Sequence, residues 1–301
     1  MSEKDREQSK EGQDLGGRDS RLTAAQAAGY IRSQLEEAGI EDVQAESFII
    51  LEWICGINRE TYFLDPGALV SPEKMSRLHR LLAERKRHVP LQYLMGSAPF
   101  MGYTFFVNEH VLIPRQDTEC LVERSLELLK EFPAYPSLDV LDLCTGSGCI
   151  GISIKKAAPA ARVLLSDISK EALAIARKNA LALDADVEIC QGDLFEPVKG
   201  SYHMIISNPP YIPSATISEL MPEVRDYEPG QALDGGRDGL DFYRRIVHGA
   251  KDYLKDGGYL LFEIGMDQGP ALEEIFMSEG YKDIMIRKDL AGLFRIAEGR
   301  I

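Results

Sequence analysis

Apolar residues follow two different spacings along this chain. From Ala24 they recur every three to four positions: Ala24, Ala27, Ala28, Ile31 and Leu35 share one helical face. Thr23-x-x-Gln26 is a capping box that opens this helix, and Gly39 closes it. A second helix is expected from Val43 to Cys55, stopped by Gly56, with a short helical stretch near 59–64. A third begins at Ser71 as N-cap, with Pro72 in its first turn, and runs to about Arg87. Together these predict a small all-α domain over 21–88, with Trp53, the single tryptophan, in its core. Residues 1–20 carry almost no large apolar side chain and are expected to form a disordered tail.

The spacing changes after Pro90. Gly96, Pro99, Gly102 and several aromatics mark 89–115 as a linker with a β-hairpin. A helix is expected from Asp117 to about Phe132, with Leu121, Val122, Leu126 and Leu129 on one face. Apolar runs near 139–143, 162–166, 187–190, 203–207 and 258–264 then alternate with helical stretches, as in a parallel sheet covered on both faces. Two last strands, near 281–287 and 292–297, are close enough in sequence to be an antiparallel pair. The fold class is α/β: a seven-stranded domain over 116–301, preceded by the helical one.

Composition narrows the setting. The 301 residues are 45% hydrophobic, yet no run of 18 or more apolar residues is present, so no membrane span is expected. The N-terminal residues lack the apolar core of a signal peptide. Cys55, Cys120, Cys144, Cys149 and Cys190 form no Cys-x-x-Cys pair. Neither a disulfide framework nor a metal site is expected, and a reducing cytoplasm is. A net charge of −14 argues against nucleic acid as a direct partner. The one basic cluster, Arg77, Arg80, Arg85, Lys86, Arg87 and His88, reads as a solvated helix face and helix-end charges.

Candidate chemistry sits at strand ends. The run Met204–Ser207 leads directly into Asn208-Pro209-Pro210-Tyr211. Two prolines fix φ, remove two backbone donors and end the strand in a stiff extended turn. The Asn208 oxygen and the Pro209 carbonyl can each accept one hydrogen of a planar –NH2 group, while Tyr211 packs on its flat face. The turn therefore suits chemistry on an amide or exocyclic amine nitrogen. Upstream, Val140-Leu141-Asp142-Leu143 runs into Cys144-Thr145-Gly146-Ser147-Gly148, and a helix follows: the start of a nucleotide-binding βαβ unit. The next strand ends in Asp167, placed to bind both ribose hydroxyls, and the one after leads to Asp193 and Leu194, placed to flank an adenine ring. NAD is the competing cofactor. The turn lacks the full dinucleotide spacing that cradles a pyrophosphate. It opens instead with a carboxylate, Asp142, that can order the turn and face a cationic methionine end. S-adenosylmethionine fits better.

These motifs resemble the HemK/PrmC family of protein-(glutamine-N5) methyltransferases. The similarity extends to Pro90-Leu91-Gln92-Tyr93-Leu94-x-Gly96, to Val111-Leu112-Ile113-Pro114-Arg115-Gln116-Asp117-Thr118-Glu119, to Glu228-Pro229-x-x-Ala232-Leu233-x-Gly235-Gly236-x-Asp238-Gly239 and to Phe262-Glu263-Ile264-Gly265. It runs from about residue 20 to the C-terminus. The family usually has Gly at position 144 and Pro at 116, the latter in a connecting loop. The resemblance implies an S-adenosylmethionine-dependent methyltransferase (Rossmann-like) fold and a cytoplasmic, monomeric enzyme of translation termination. Its protein partner would be a peptide chain release factor, methylated on the glutamine amide of the Gly-Gly-Gln motif. Asn208, Pro209, Pro210 and Tyr211 are the expected catalytic residues, and the helical domain is expected to dock the substrate. Cys144, Thr145, Gly146, Ser147, Gly148, Asp167, Asp193, Leu194 and Asn208 are expected to bind cofactor. Two alternatives stand beside this: a DNA amino-methyltransferase acting on a flipped base, and a non-catalytic S-adenosylmethionine-binding regulator.

Overall fold

The computed structural model describes residues 22–132, 137–289 and 292–301; the expected tail over 1–20 lies outside them. The chain divides into two compact units between His88 and Val89.

The first unit holds α1 (Ala24–Glu37), α2 (Val43–Cys55), α3 (Arg59–Leu64) and α4 (Pro72–Arg85). Thr23 and Gln26 form the reciprocal capping box, and Ser71 caps α4 with Pro72 in the first turn. Ile31, Leu35, Ile50, Leu51, Leu78 and Leu82 make the core. Three expectations are corrected here. Trp53 is 37% exposed, as is Ile49 one turn earlier at 42%. Helix α2 is apolar on more than one face, and among the described residues its buried face is the one carrying Ser47, Ile50, Leu51 and Ile54. Arg85 is not on a solvated face but 1% exposed. Its Nε and Nη2 donate to the two oxygens of Glu46, each at 2.8 Å. Helix α4 also ends at Arg85, two residues early, with His88 beyond it at φ 65°.

The second unit opens with α5 (Leu91–Met95) and a hairpin of β1 (Ser97–Phe100) and β2 (Tyr103–Phe106). Met101 and Gly102 form its two-residue loop, both at positive φ, as such hairpins require. Helix α6 (Gln116–Leu129) starts at Gln116 rather than Asp117. Position 116 is thus a first helical residue, not a loop, and there a proline's missing N–H has no intrahelical partner to lose. The sheet and its covering helices follow: β3 (Asp139–Leu143), α7 (Cys149–Ala157), β4 (Arg162–Asp167), α8 (Lys170–Ala182), β5 (Glu188–Gln191), β6 (Tyr202–Ser207), α9 (Pro222–Tyr227), α10 (Asp241–Ala250), β7 (Leu254–Glu263), α11 (Gly269–Ser278), β8 (Lys282–Lys288) and β9 (Phe294–Arg300). Strand order is β5-β4-β3-β6-β7-β9-β8, with β9 antiparallel to both its neighbours.

Successive residues of the central strands point to opposite faces. Val140, Met204, Ile206 and Leu261 pack with Leu121, Val122, Ile150 and Ala176 from α6, α7 and α8. Leu141, Leu143, Ile205, Leu260 and Phe262 pack with Tyr243, Ile246, Leu272 and Phe276 from α10 and α11. Burial on both faces is why these strands read as unbroken apolar runs. The segment 89–115, expected as a linker, is packed into this unit. Phe106 exchanges backbone hydrogen bonds with the Asn179 side chain of α8 at 2.6 and 3.0 Å, and Val107, Val111 and Ile113 cluster with Ala172. Among the described residues, no helix is long and apolar enough to cross a membrane.

Candidate active site

From β3 the chain steps outward to β4 and β5, then returns to place β6 on the other side of β3. A crevice forms at the carboxyl ends of strands where order reverses in this way. A cavity of about 260 Å³ opens there. Its wall carries Cys144, Thr145, Gly146 and Ser147 after β3, Asp167 at the end of β4, Asp193 and Leu194 after β5, and Asn208 and Pro210 after β6. The stretch from His110 to Arg115 and Thr118 of α6 complete one side. Of the residues expected to bind cofactor, all but Gly148 reach the cavity. Gly148 is the N-cap of α7, where a Cβ would stand 2.8 Å from Ile152 Cδ1, so it serves packing. Gly146 differs: it has φ 54°, and nothing lies within 4 Å of where its Cβ would be.

The glycine turn is tied from two sides. Asp142 Oδ2 accepts from the Thr145 hydroxyl at 2.6 Å and from Gly151 N–H at 2.9 Å. Asp142 orders the turn as expected, but it is 0% exposed and absent from the cavity wall. It therefore does not face the ligand, which corrects that part of its expected role. Its Oδ1 has no partner among the described residues, and burial lifts the carboxyl to about 7. Asp167 Oδ2 accepts from Gly146 N–H at 2.8 Å and Oδ1 from Ser169 N–H at 2.9 Å. Burial raises the Asp167 carboxyl, while those N–H groups pull it back down. Each carboxylate oxygen has a second lone pair for a ligand hydroxyl. Cys144 stands in the left-handed region at φ 57°, the conformation that favours glycine there. Burial pushes the Cys144 and Cys149 thiols up to about 12, so neither is a nucleophile near neutrality.

Across the cavity, Asn208 and Pro210 face it while Pro209 and Tyr211 do not. The Tyr211 ring, expected to cover a target amide, packs on the core beside α10, and its hydroxyl is raised by burial and then by the nearby Glu263 charge. The turn is held by backbone approach. A Cβ on Gly235 would fall 2.7 Å from Tyr211 Cα and 2.8 Å from the Pro210 carbonyl. On Gly239 it would fall 2.3 Å from the Tyr211 carbonyl. Gln268 Nε2 donates to the carbonyls of Tyr211 at 2.9 Å and Gly239 at 3.1 Å. These contacts give the glycines of the Gly235–Gly239 loop their reason.

Several site residues had no role in the sequence reading. Arg115 reaches the cavity and its Nη2 donates to both oxygens of buried Glu228, at 2.6 and 2.8 Å. Arg245 on the opposite side donates to Asp193 at 2.6 Å. Buried Asn179 joins Phe106 to the Ser147 carbonyl. None has a local signal, because each partner is distant in sequence.

This wall fits a nucleoside with a cationic end and no phosphate. Both arginines on it are engaged by carboxylates, and nothing lies within 4 Å of the open glycine position. Asp167 and Asp193 are the side chains available to ribose and base. Among the described residues, no group of three or more His, Cys, Asp or Glu side chains is placed to hold a metal.

Comparison with known proteins agrees with this geometry. Residues 26–96 match the PrmC N-terminal domain and residues 123–221 the methyltransferase small domain. A release factor glutamine methyltransferase of Geobacter sulfurreducens is 40% identical over 273 residues, covering 90% of this chain and 94% of the other. One from Enterococcus faecalis is 43% identical over 245 residues, covering 80% and 87%. A Pyrococcus furiosus methyltransferase crystal structure superposes with a TM-score of 0.51 over 72% of this chain and 98% of that one; at 19% identity it speaks for the fold alone. With identity at that level along nine-tenths of its length, the chain belongs to the release factor glutamine methyltransferase family.

Proposed function

We propose that this protein transfers the methyl group of S-adenosylmethionine to the side-chain amide nitrogen of the glutamine in the Gly-Gly-Gln motif of peptide chain release factors. It is an S-adenosylmethionine-dependent protein-glutamine methyltransferase. The observation that carries the reading is the placement of Asn208. It leaves a central strand, is fixed by Pro209 and Pro210, and looks into the same cavity as the glycine turn and Asp167.

Asp167 would hold the ribose hydroxyls of the cofactor, Leu194 and Asp193 its adenine, and the 144–147 turn its methionine end. When bound, the cofactor supplies an electrophilic methyl group. An amide nitrogen is a poor nucleophile, so what the chain's own residues contribute is alignment, with nitrogen and methyl about 3–3.5 Å apart. Asn208 Oδ1 accepts one N–H of the target; Pro209, expected to supply a second acceptor, is not on the cavity wall and serves to stiffen the turn. As the nitrogen attacks, its hydrogens become more acidic, and the bond to Asn208 strengthens toward the transition state. The proton leaves afterward, so no strong base is required. We place the activity in the cytoplasm, in translation termination, in a monomer, with the helical unit as a second surface for the protein substrate.

Transfer of labelled methyl to a release factor, to the same factor with the motif glutamine changed, and to duplex DNA tests this. Label on the intact factor alone is expected. Label on DNA would favour an amino-methyltransferase of bases, and binding without turnover would favour a regulator.

A further inference from the structure

Behind Asn208 lies a carboxylate that the reaction, as described, leaves idle. Glu263 ends β7, and Ser207 pairs with Phe262 on the adjacent parallel strand, so Asn208 and Glu263 each follow that last pair by one residue. Glu263 is 2% exposed. The Thr118 and Asn208 side chains lie beside its carboxyl and favour its charged form. Oε2 has no partner among the described residues.

An ionised carboxylate only accepts. The Asn208 group that meets it is therefore the –NH2, and Oδ1 is turned away from Glu263. Without such a partner an asparagine amide can present either end. The reversed orientation would offer a donor to the target's own N–H groups and repel them. We propose that Glu263 is a positioning residue: its carboxylate fixes the Asn208 amide with the oxygen toward the cavity, and so selects a target bearing a free –NH2. This rests on the reading of Asn208 as the amide acceptor.

Protonation is the natural failure mode. A neutral Glu263 becomes a donor and attracts the Asn208 oxygen instead. Burial holds the carboxyl above its ordinary range, while Arg295 of β9 lowers it and Asp117 of α6 raises it. Tyr211, Tyr243 and Cys149 also face it, and stay neutral near pH 7. The methyl-transfer rate should therefore fall on the acid side as Glu263 takes up its proton.

The test is a double-mutant cycle read by single-turnover transfer of labelled methyl to a release factor. Glu263→Gln keeps the shape but can donate or accept. It should slow transfer by about tenfold or more, the scale of a misplaced reacting group, with cofactor affinity within about twofold and the acid limb lost. In an Asn208→Ala background the same change should have no further effect, because Glu263 acts through Asn208. Equal loss in both backgrounds, or a wild-type rate and pH profile for Glu263→Gln, overturns the proposal. Should Glu263→Gln not fold, Thr118→Val, which removes the other side-chain group that favours the charged Glu263, enters the same cycle with the same expectation of coupling, and its absence overturns the proposal too. A wild-type protein that labels no release factor would instead defeat the functional reading itself.

Discussion

Replacing Asp167 by alanine separates what this carboxylate does for the fold from what it does for the cofactor. Sequence alone suggested a residue that binds the ribose hydroxyls. The structure adds two backbone bonds, to Gly146 N–H at 2.8 Å and Ser169 N–H at 2.9 Å. Bonds to a charged acceptor contribute about 1.5–3 kcal/mol each. Two opposing effects reduce that sum. Burial already raises the carboxyl, so its removal recovers desolvation, and the open cavity lets water reach the freed N–H groups. A net loss of about 2 kcal/mol is the expectation, which for a unit of this size lowers the melting temperature by roughly 4–8 °C. The cofactor loses two hydroxyl bonds to the same group, at least about 3 kcal/mol, or a dissociation constant raised on the order of 100-fold. Scanning calorimetry and titration calorimetry read the two quantities on one preparation. A melting temperature within about 1 °C of wild type would refute the turn-holding role. An affinity within about threefold would refute the ribose assignment.

Three further outcomes are expected. Glu46→Ala removes the two hydrogen bonds that the buried Arg85 guanidinium makes to Glu46 and should destabilise the helical unit by less than the about 3–5 kcal/mol of a fully broken buried pair, since Glu46 is 18% exposed; Trp53 fluorescence, the chain's single tryptophan signal, follows that unit's unfolding. Asp142→Asn should flatten the pH dependence of stability: a carboxyl raised on folding to about 7 favours the fold at low pH, and that contribution is lost as pH climbs from about 4 to 7 at up to about 1.4 kcal/mol per unit. Urea midpoints across that range would contradict this if the wild-type and variant slopes matched. Gly235→Ala pushes a methyl group onto the Tyr211 and Pro210 backbone and should slow transfer by at least about tenfold at unchanged cofactor affinity; undiminished turnover would mean the turn tolerates displacement.

The parts of this protein that were legible in its sequence are those whose cause is local. Strands β3 and β6 are buried on both faces, so their apolar runs and the groups that end them, the glycine turn and Asn208, stand out. Capping residues Thr23 and Ser71 act within one helical turn. What stayed hidden depends on partners far along the chain. Arg85 finds Glu46 39 residues away, and Gln268 clamps Tyr211 from 57 residues away. Asp142 was legible as a turn-former, but its separation from the cavity follows from which face of β3 it takes. The run Val111–Ile113 looked like connection because its partner Ala172 lies on a later helix.

The central claim is that a release factor glutamine amide is the methyl acceptor and that Asn208 binds it. Mass spectrometry of the Gly-Gly-Gln peptide, after a release factor is incubated with S-adenosylmethionine and either the wild-type or the Asn208→Ala protein, tests both at once. The account predicts one added methyl group on the glutamine side chain with wild type, and a rate lower by about 100-fold or more with Asn208→Ala at similar cofactor affinity. A methyl group on another residue, or Asn208→Ala working at close to the wild-type rate, would contradict it.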